Sequence, residues 1–169
     1  MAVTFSLILT GTPDATSDLD LSSRVTALSV RLMPTGENST ISATLAGVSD
    51  LAAGIAARPN GEVVASHIEG GTTTEFARAL VSADPETSRT PEVETTTLEG
   101  VASMTFGTPT TRAITGVTYR RSNGGTVTLR GTVDPLVIPG DTVTNDADSF
   151  VAGQVVFTIG ATATMEATE

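Results

Sequence analysis

The stretch ALSVRLMPTGENSTISATL, residues 27–45, decides which fold class is expected. Apolar and polar side chains alternate on both sides of a cluster of turn-forming residues at 34–38. Strict alternation is typical of a half-buried β-strand, because successive side chains point to opposite faces of a sheet. The side chains expected to face inward are Leu28, Val30, Leu32, Ile41, Ala43 and Leu45. The stretch therefore predicts a β-hairpin with one buried face.

The same pattern recurs toward both ends of the chain. Thr and Val account for 31 and 17 of the 169 residues, and both branch at Cβ, which disfavours helices and suits strands. Further strand-like segments are 3–9, 63–65, 117–120, 127–133, 155–159 and 161–165. Residues 47–57 are Ala-rich with apolar side chains at helical spacing, and Ser49 or Asp50 is a candidate N-cap. We predict an all-β fold, a small β-barrel, split barrel or sandwich of about nine or ten short antiparallel strands, with at most one short helix.

The length suits one domain or two small ones. We predict a single β-rich domain over 1–169, or two small packed β-subdomains with a boundary or insertion near 47–100. Within that region, residues 75–81 fit a helical turn or a strand, because their apolar positions do not settle the period. Residues 84–91 form a polar run that contains two Pro residues, and we expect them to be a mobile loop.

A second hairpin is expected near the glycine pair Gly124-Gly125, and the length of its loop decides the register. A two-residue loop at Asn123-Gly124 would set Tyr119 opposite Thr128, an apolar side chain against a polar one. A three- or five-residue loop centred on Gly124 sets Tyr119 opposite Leu129 instead. Because a slip of one residue turns every side chain to the other face, we favour the odd loop, with Gly in the left-handed conformation and Tyr119 facing inward.

The composition excludes several classes of function. The chain has no Cys, which removes disulfides, thiolate nucleophiles and cysteine-based metal sites. Nine Arg and no Lys stand against 19 acidic residues, so the net charge is −10, and the pI of about 4.4 disfavours nucleic acids and anionic membranes as partners. The apolar start at 3–9 is too short to span a bilayer, and no basic residue precedes it. We expect a soluble protein made in the cytoplasm, with no nucleic-acid or membrane partner.

Few residues are candidates for catalysis. His67 is the only imidazole of the sequence, and neither a Ser-containing elbow motif nor a positioned partner for a general base accompanies it. We interpret it as a surface or half-buried strand residue. A carboxylate pair for glycoside hydrolysis is conceivable, but most acidic residues lie in Thr- and Pro-rich loops, and a chain without Trp lacks the stacking platforms that sugars need. We predict no enzymatic activity, no catalytic residue and no cofactor.

Two acidic loops are candidates for binding a hard cation. One contains Asp14, Asp18 and Asp20; the other contains Asp141, Asn145, Asp146 and Asp148. Oxygen ligands suit Ca²⁺, but neither loop has the Gly and the distal Glu that the calcium-binding loop carries at fixed positions. We interpret both as solvated turns and predict no metal site, with the loop at 141–148 the better candidate of the two.

Three arginines form a local positive patch on the second hairpin: Arg120, Arg121 and Arg130. The hairpin register would bring them together on adjacent strands. In an acidic protein such a patch can meet the carboxylates of another subunit. It can equally form surface ion pairs within the chain, which contribute little to stability. The sequence leaves both alternatives open.

The C-terminal third carries most of a family resemblance. Its segments are GVTYRR (116–121), TVTLR (126–130), IPGDTV (138–143), FVAGQVVFTI (150–159) and MEATE (165–169). Weaker matches upstream are ARPNGEVV (57–64) and TLEG (97–100). Together these segments resemble hub-type proteins of bacteriophage tails, in which a strand ends in a Pro-Gly-Asp turn that opens the next strand. The resemblance covers residues 54–169.

The resemblance implies a structural role in the virion. Tail hub and baseplate proteins of this kind are small β-barrels or split barrels arranged in a ring that joins the tail tube to the tip or spike. Because such hubs are commonly larger, this chain would supply part of one. The implied partners are further copies of the chain in a ring-shaped homo-oligomer and other tail proteins, the tube, tip or spike. The implied location is the virion tail, with the host cytoplasm before assembly.

Long loops are where we place the subunit contacts of such a ring, at 10–24, 84–91 and 140–150. Exposed edge strands could also be used up by neighbouring subunits. The alternative interpretation of the chain is a capsid decoration protein or an adhesin-like β-sandwich binding module.

Overall fold

The computed structural model of the chain describes residues 4–11, 17–47, 49–58, 60–81, 86–89 and 94–169. Most of these residues lie in β-strands, so the all-β prediction is confirmed. The strands are β1 (Thr4–Leu9), β2 (Leu19–Asp20), β3 (Val25–Leu32), β4 (Asn38–Ala46), β5 (Glu62–Glu69), β6 (Thr72–Val81), β7 (Glu86–Arg89), β8 (Glu94–Ser103), β9 (Thr111–Ala113), β10 (Tyr119–Asn123), β11 (Thr126–Gly131), β12 (Thr142–Thr144), β13 (Ser149–Val151), β14 (Gln154–Ile159) and β15 (Ala163–Thr168). One short helix, α1 (Ser49–Ala56), and a 3-10 turn at Ser22–Arg24 complete the elements of these residues.

The predicted count of nine or ten strands is wrong, because the described residues form fifteen. Five of them are only two to four residues long, namely β2, β7, β9, β12 and β13. Alternation of apolar and polar side chains identifies a strand only over about four to eight residues, so strands this short give almost no periodic signal. Twelve strands belong to one large sheet, and β13, β12 and β9 form a small one. The pairing of β9 with β12 is parallel, which also departs from the predicted antiparallel arrangement.

The hairpin predicted from residues 27–45 is present as β3 and β4. The six side chains expected to face inward are at most 2% exposed. The intervening Ser29 and Arg31 are exposed, as the alternation requires. In the connecting turn, Gly36 has a φ of 95°, and the Glu37 N–H donates to the Pro34 carbonyl at 2.9 Å. The buried faces of these two strands are therefore those that the sequence predicts.

The first of two compact units spans Met1–Leu28 and Thr40–Ala102. Its strands follow the order β4-β8-β6-β5-β1-β2, and β7 pairs with β8. Its core contains Leu7, Leu9, Leu21, Ile41, Leu45, Val63, Ala79 and Leu98, each no more than 1% exposed. Residues 75–81 lie in β6 and are thus strand, whereas part of 84–91 forms β7 instead of the predicted loop. The strand β7 forms by pairing with β8 although Pro85 and Pro91, which favour a loop, flank it; both prolines lie outside the described residues.

The predicted helix is present in this unit as α1, with Leu51 and Ile55 buried. The residue that precedes Ser49, where an N-cap would lie, is outside the described residues. At the other end, the Arg58 guanidinium is buried and donates two hydrogen bonds to the Ser17 carbonyl, at 2.6 and 3.0 Å. Neither α1 nor any other helix among the described residues is long and apolar enough to cross a membrane.

The second unit spans Ser29–Ser39 and Ser103–Glu169. Its part of the large sheet has the order β10-β11-β15-β14-β3, and it also contains the small sheet. Its core contains Val30, Leu32, Leu129, Val137, Val143, Ala152, Val155, Phe157, Met165 and Ala167, each no more than 1% exposed. Before β12, the Asp141 N–H donates to the Ile138 carbonyl at 3.1 Å, and Gly140 has a φ of 96°. These values describe a tight Pro-Gly turn that opens the next strand.

Candidate functional site

The β10–β11 hairpin differs in register from the prediction. Tyr119 lies opposite Arg130 and Asn123 opposite Thr126, so the loop is the two-residue turn Gly124-Gly125. Both glycines have positive φ, 60° and 93°, as a two-residue hairpin turn of type I′ requires. The predicted odd loop and inward Tyr119 are therefore wrong, and Tyr119 is 43% exposed. All five residues of β10 are exposed, so no buried face opposes the preference of the turn.

The strand β10 ends the strand order of the large sheet and pairs with β11 alone among the described strands. In an antiparallel ladder closed by a two-residue turn, the residues that flank the turn bond to each other, and every second residue beyond them does the same. Asn123, Arg121 and Tyr119 consequently bond to β11. The backbone N–H and C=O groups of Arg120 and Ser122 point to the open side. This open side of β10 is an unpaired sheet edge.

Arg120 forms an ion pair within the chain. Its Nη2 and Nε atoms donate to the two carboxylate oxygens of Asp148 at 2.7 and 2.8 Å, a bidentate arrangement. These hydrogen bonds hold the pKa of Asp148 below its ordinary value and raise the pKa of Arg120. Arg120 thus fixes the turn before β13 against the second hairpin.

Arg130 is also paired, but Arg121 is not. The Arg130 Nη2 and Nε atoms donate to Glu166 Oε2 on β15 at 2.8 and 3.1 Å, and its guanidinium lies 5.4 Å from the centre of the Tyr119 ring. Arg121 is exposed and has no hydrogen bond or ion pair to another described residue. Of the three-arginine patch, two members are therefore neutralised within the chain, and Arg121 keeps an uncompensated charge at the open edge.

Asp141, the first residue of the better cation candidate, is a buried structural carboxylate. Its side chain is 1% exposed. Oδ1 accepts the Thr110 N–H at 2.6 Å, and Oδ2 accepts the Ile138 N–H at 3.0 Å. Arg112 on β9 lies nearby, with its Nε 3.9 Å from Oδ2 and without a hydrogen bond. The carboxylate thus ties the Pro-Gly turn to the segment that leads into β9, and its oxygens are already occupied.

After β12, residues 145–148 of this loop form a tight turn. Asn145 Oδ1 accepts the N–H groups of Ala147 and Asp148 at 2.8 and 2.7 Å, so the Asn side chain closes the turn locally. Asp148 is held by Arg120, and Asp146 is exposed. No three Asp, Glu or His side chains of the described residues come close enough together to hold a metal ion.

The other acidic loop is described in part. Asp14 lies outside the described residues. Asp18 Oδ1 accepts the Gly11 N–H at 3.0 Å, and Asp20 Oδ1 accepts the Ser22 hydroxyl and N–H at 2.6 and 2.9 Å. The hydrogen bonds from Ser22 hold the pKa of Asp20 below its ordinary value. Both carboxylates therefore stabilise local backbone turns.

His67 lies in β5 and is buried, whereas the sequence predicted a surface or half-buried position. It is opposite Phe5 on β1, and the two ring centres are 6.0 Å apart. Phe76 on β6 packs edge-on against Phe5 at 6.1 Å. The imidazole is part of an aromatic cluster within the first unit. Its surroundings are those of a packed core residue.

An open groove of about 590 Å³ lies in the second unit. Residues 113–117, which begin at the last residue of β9, form one wall, and residues 144–147 form the other. The walls are joined by a hydrogen bond from the Ile114 N–H to the Thr144 carbonyl at 2.8 Å. Val117 is 38% exposed at this groove, and Asp146 supplies a carboxylate. Asp146 is the one ionisable residue of its lining, and no group of three metal-ligating side chains lies among the described residues there.

The strand β7 is a second open edge, in the first unit. It pairs with β8 through Glu86 opposite Thr97 and Arg89 opposite Glu94, and with no other described strand. Glu86 is exposed and has no ion pair to a described residue. This strand lies within the loop 84–91, one of the three segments in which subunit contacts are predicted. The segments 10–24 and 140–150 contain β2 with the 3-10 turn and β12, respectively.

Sequence reasoning missed two features of these surfaces. Because Pro85 and Pro91 bracket β7, its four residues do not show enough alternation to be recognised as a strand. The approach of Arg112 to Asp141 depends on a parallel pairing of short strands 31 residues apart, which leaves no local signal. For the open edge of β10, the sequence does contain one signal, the run Tyr-Arg-Arg at 119–121, which lies in this exposed strand.

No protein-family model matches the sequence, and no curated protein is similar to it. Solved structures with a similar fold nevertheless include two tail proteins. One is the tail protein from Neisseria meningitidis MC58, with a TM-score of 0.60 and 6% identity over 99% of this chain and 96% of that chain. The other is the 43 kDa tail protein of prophage MuSo2 from Shewanella oneidensis, with a TM-score of 0.56, 6% identity and the same coverage. The resemblance to bacteriophage tail proteins is thereby confirmed at the level of the fold, which this chain shares with them over nearly its whole length.

Proposed function

We propose that the chain is a structural component of a bacteriophage tail, a hub- or baseplate-like subunit that forms a ring with its own copies and connects the tail tube to the tail tip. The observation that supports this proposal most strongly is the match of fold to two tail proteins over 99% of the chain. A likeness over the whole chain favours a shared architectural role over a single borrowed module.

The chemistry of the described surface agrees with a role in assembly. Several acidic side chains bond to backbone turns or to arginines, as those of Asp18, Asp20 and Asp148 do, and the single His packs against the ring of Phe5. Catalysis would need a positioned base or ligand cluster, and the described residues offer neither. Unpaired edges at β10 and β7 provide what an assembling subunit needs, backbone groups that a neighbour can bond. We therefore propose a non-enzymatic role, in the virion tail after synthesis in the host cytoplasm.

Immunogold electron microscopy of intact virions tests this function. An antibody against the purified chain should label the end of the tail where tube and tip meet, with several gold particles per virion when labelling is saturating. Labelling of the capsid would instead support a decoration protein, and labelling of fibres would support an adhesin module. Either of those results, or unlabelled virions, would overturn the proposal. A tail-tube protein with its own antibody serves as the control for access to the tail.

A further inference from the structure

We propose that neighbouring copies of the chain associate head to tail, with the open edge of β10 in one copy paired to the open edge of β7 in the next. This pairing rests on the proposed function, because it specifies the contact through which a ring of copies would form. The partner is thus a second copy of this chain. The mode of contact is the addition of one strand to another across two sheets.

Each of the two strands has one described neighbour along its whole length, whereas β6 has a free side only over residues 72–79, where it pairs with β5 alone. β10 has five residues and β7 has four, and each has one hydrogen-bonded neighbour. The other described strands with a single neighbour are shorter: β2 has two residues, and β9 and β13 have three each. An added strand gains hydrogen bonds in proportion to the length of the edge. Edge length therefore favours β10 and β7 over the others.

Charge selects the combination of these two edges. Arg121 on β10 is exposed without a partner, and Glu86 on β7 is exposed without an ion pair among the described residues. The sequence around β7, residues 84–94, contains four acidic residues and one Arg, in a chain whose net charge is −10. Opposite charges on facing strands stabilise their pairing, and like charges destabilise it. Pairing of β10 with a second β10 would bring the Arg121 side chains together.

The symmetry of such a contact has a consequence for assembly. The edges β10 and β7 belong to different parts of the chain, so their contact is heterologous, and two copies joined by one such contact still have one free β10 edge and one free β7 edge between them. A heterologous contact closes into a ring when its rotation divides a full turn, and it produces an open filament otherwise. Edges that pair only with themselves would instead stop at two copies.

Proline at Ser122 tests the strand addition. The Ser122 N–H points away from β11, so Ser122→Pro removes a donor that a neighbour would use and leaves the β10–β11 ladder intact. Pro is tolerated on edge strands, and its preference for an extended preceding residue suits Arg121. Native mass spectrometry of the full chain should show the ring for wild type and for the control Ser122→Ala, and monomers for Ser122→Pro. A Ser122→Pro protein that still forms the ring would overturn the β10 contact.

A charge exchange tests the choice of partner edge and does not depend on proline. Arg121→Glu and Glu86→Arg should each weaken association by roughly tenfold in sedimentation velocity, because each places like charges across the contact. The double variant should recover most of the loss. Glu37→Arg, in the exposed β3–β4 turn, makes the same change of charge as Glu86→Arg and serves as the control. Failure of the double variant to recover association would overturn the pairing of β10 with β7.

The two proposals fail in different ways. If wild type forms a ring and is found at the tail, but none of these variants changes association, the proposed function stands and the β10–β7 contact is wrong. If wild type stays monomeric at all concentrations and is missing from the tail, the proposed function is wrong, and the contact falls with it.

Discussion

The two hairpins of this protein, β3–β4 and β10–β11, both enclose a turn that contains Gly, and they differ in what determines their structure. Apolar and polar side chains alternate in both strands of the first hairpin, but only in β11 of the second, because β10 reads Tyr-Arg-Arg-Ser-Asn. In β3–β4, six alternating side chains are at most 2% exposed, and the predicted faces are correct. In β10–β11, every residue of β10 is exposed, and the predicted register is wrong, because Tyr119 lies opposite Arg130 and not opposite Leu129. Alternation in the sequence therefore predicts the register only where one face of the strand is buried.

This difference shows which force sets each register. A one-residue slip in β3–β4 would move Leu28, Val30 and Leu32 from core to solvent, at a cost of about 1.5–3 kcal/mol for each side chain. A slip of β10 against β11 costs β10 no buried surface, so the backbone preference of Gly124-Gly125 decides. The strand that is free of the core is also the one that ends the sheet. Its exposure fits a strand whose second partner comes from another molecule.

The largest expected effect contrasts one side chain from each region. Leu32→Ala removes a fully buried side chain of β3 and should lower the free energy of unfolding by about 2–5 kcal/mol. Arg121→Ala, on the exposed strand, should change it by less than about 0.5 kcal/mol. Urea denaturation of the monomeric protein measures both. If Arg121→Ala lowered the free energy of unfolding as much as Leu32→Ala does, the contrast between a buried and an exposed hairpin would be wrong.

The next effect concerns a polar residue that belongs to the core of the second unit. Asp141→Ala leaves the Thr110 and Ile138 N–H groups without their acceptor, and it leaves Arg112 without its counter-charge. We expect a loss of about 2–3 kcal/mol in the free energy of unfolding. Asp146→Ala, in the same loop but exposed, should cost less than about 0.5 kcal/mol. Equal effects for the two variants would mean that the Asp141 carboxylate is not the anchor of the turn.

Substitution of a turn glycine distinguishes the two hairpins directly. Gly36 and Gly125 both have positive φ, with open space where a Cβ would lie. Ala at either position should cost about 1 kcal/mol, because L-residues avoid this backbone conformation. Gly36→Ala should keep its register, since the buried faces hold it. Gly125→Ala should lose the backbone contact between Tyr119 and Arg130 in nuclear Overhauser spectra. Retention of that contact would contradict the role we give to the turn.

The smallest effect is a dependence on pH at the second hairpin. Arg120 lowers the pKa of Asp148 in the folded state, so their ion pair stabilises the fold above the ordinary Asp pKa of about 3.9. This stabilisation is lost as the pH falls through the lowered folded value. Wild type should therefore be more stable than Asp148→Asn at pH 6, and the difference should shrink toward pH 2–3. Thermal unfolding across this range measures it, with Asp146→Asn as the control. A difference that does not change with pH would exclude the ion pair as its source.

The sequence alone is sufficient to predict the parts of the fold that show a periodic pattern of side chains or a turn motif. The all-β class, the β3–β4 hairpin, the helix α1 and the Pro139-Gly140 turn all follow from patterns within about 20 residues. Strands of two to four residues and the parallel pairing of β9 with β12 do not, because they depend on contacts distant in sequence. The acidic loops illustrate the same limit for a site. The sequence identifies their carboxylates, but whether an oxygen faces water or a backbone N–H is decided by packing.

The central claim, that this chain is a repeated structural subunit of a bacteriophage tail, is tested most directly by electron cryomicroscopy of purified tails. The account predicts a ring of density at the junction of tube and tip into which copies of this fold fit. Each copy should place its β10 edge against the β7 edge of its neighbour. A tail map in which this fold is missing from the junction, or a virion map that contains it on the capsid, would contradict the account.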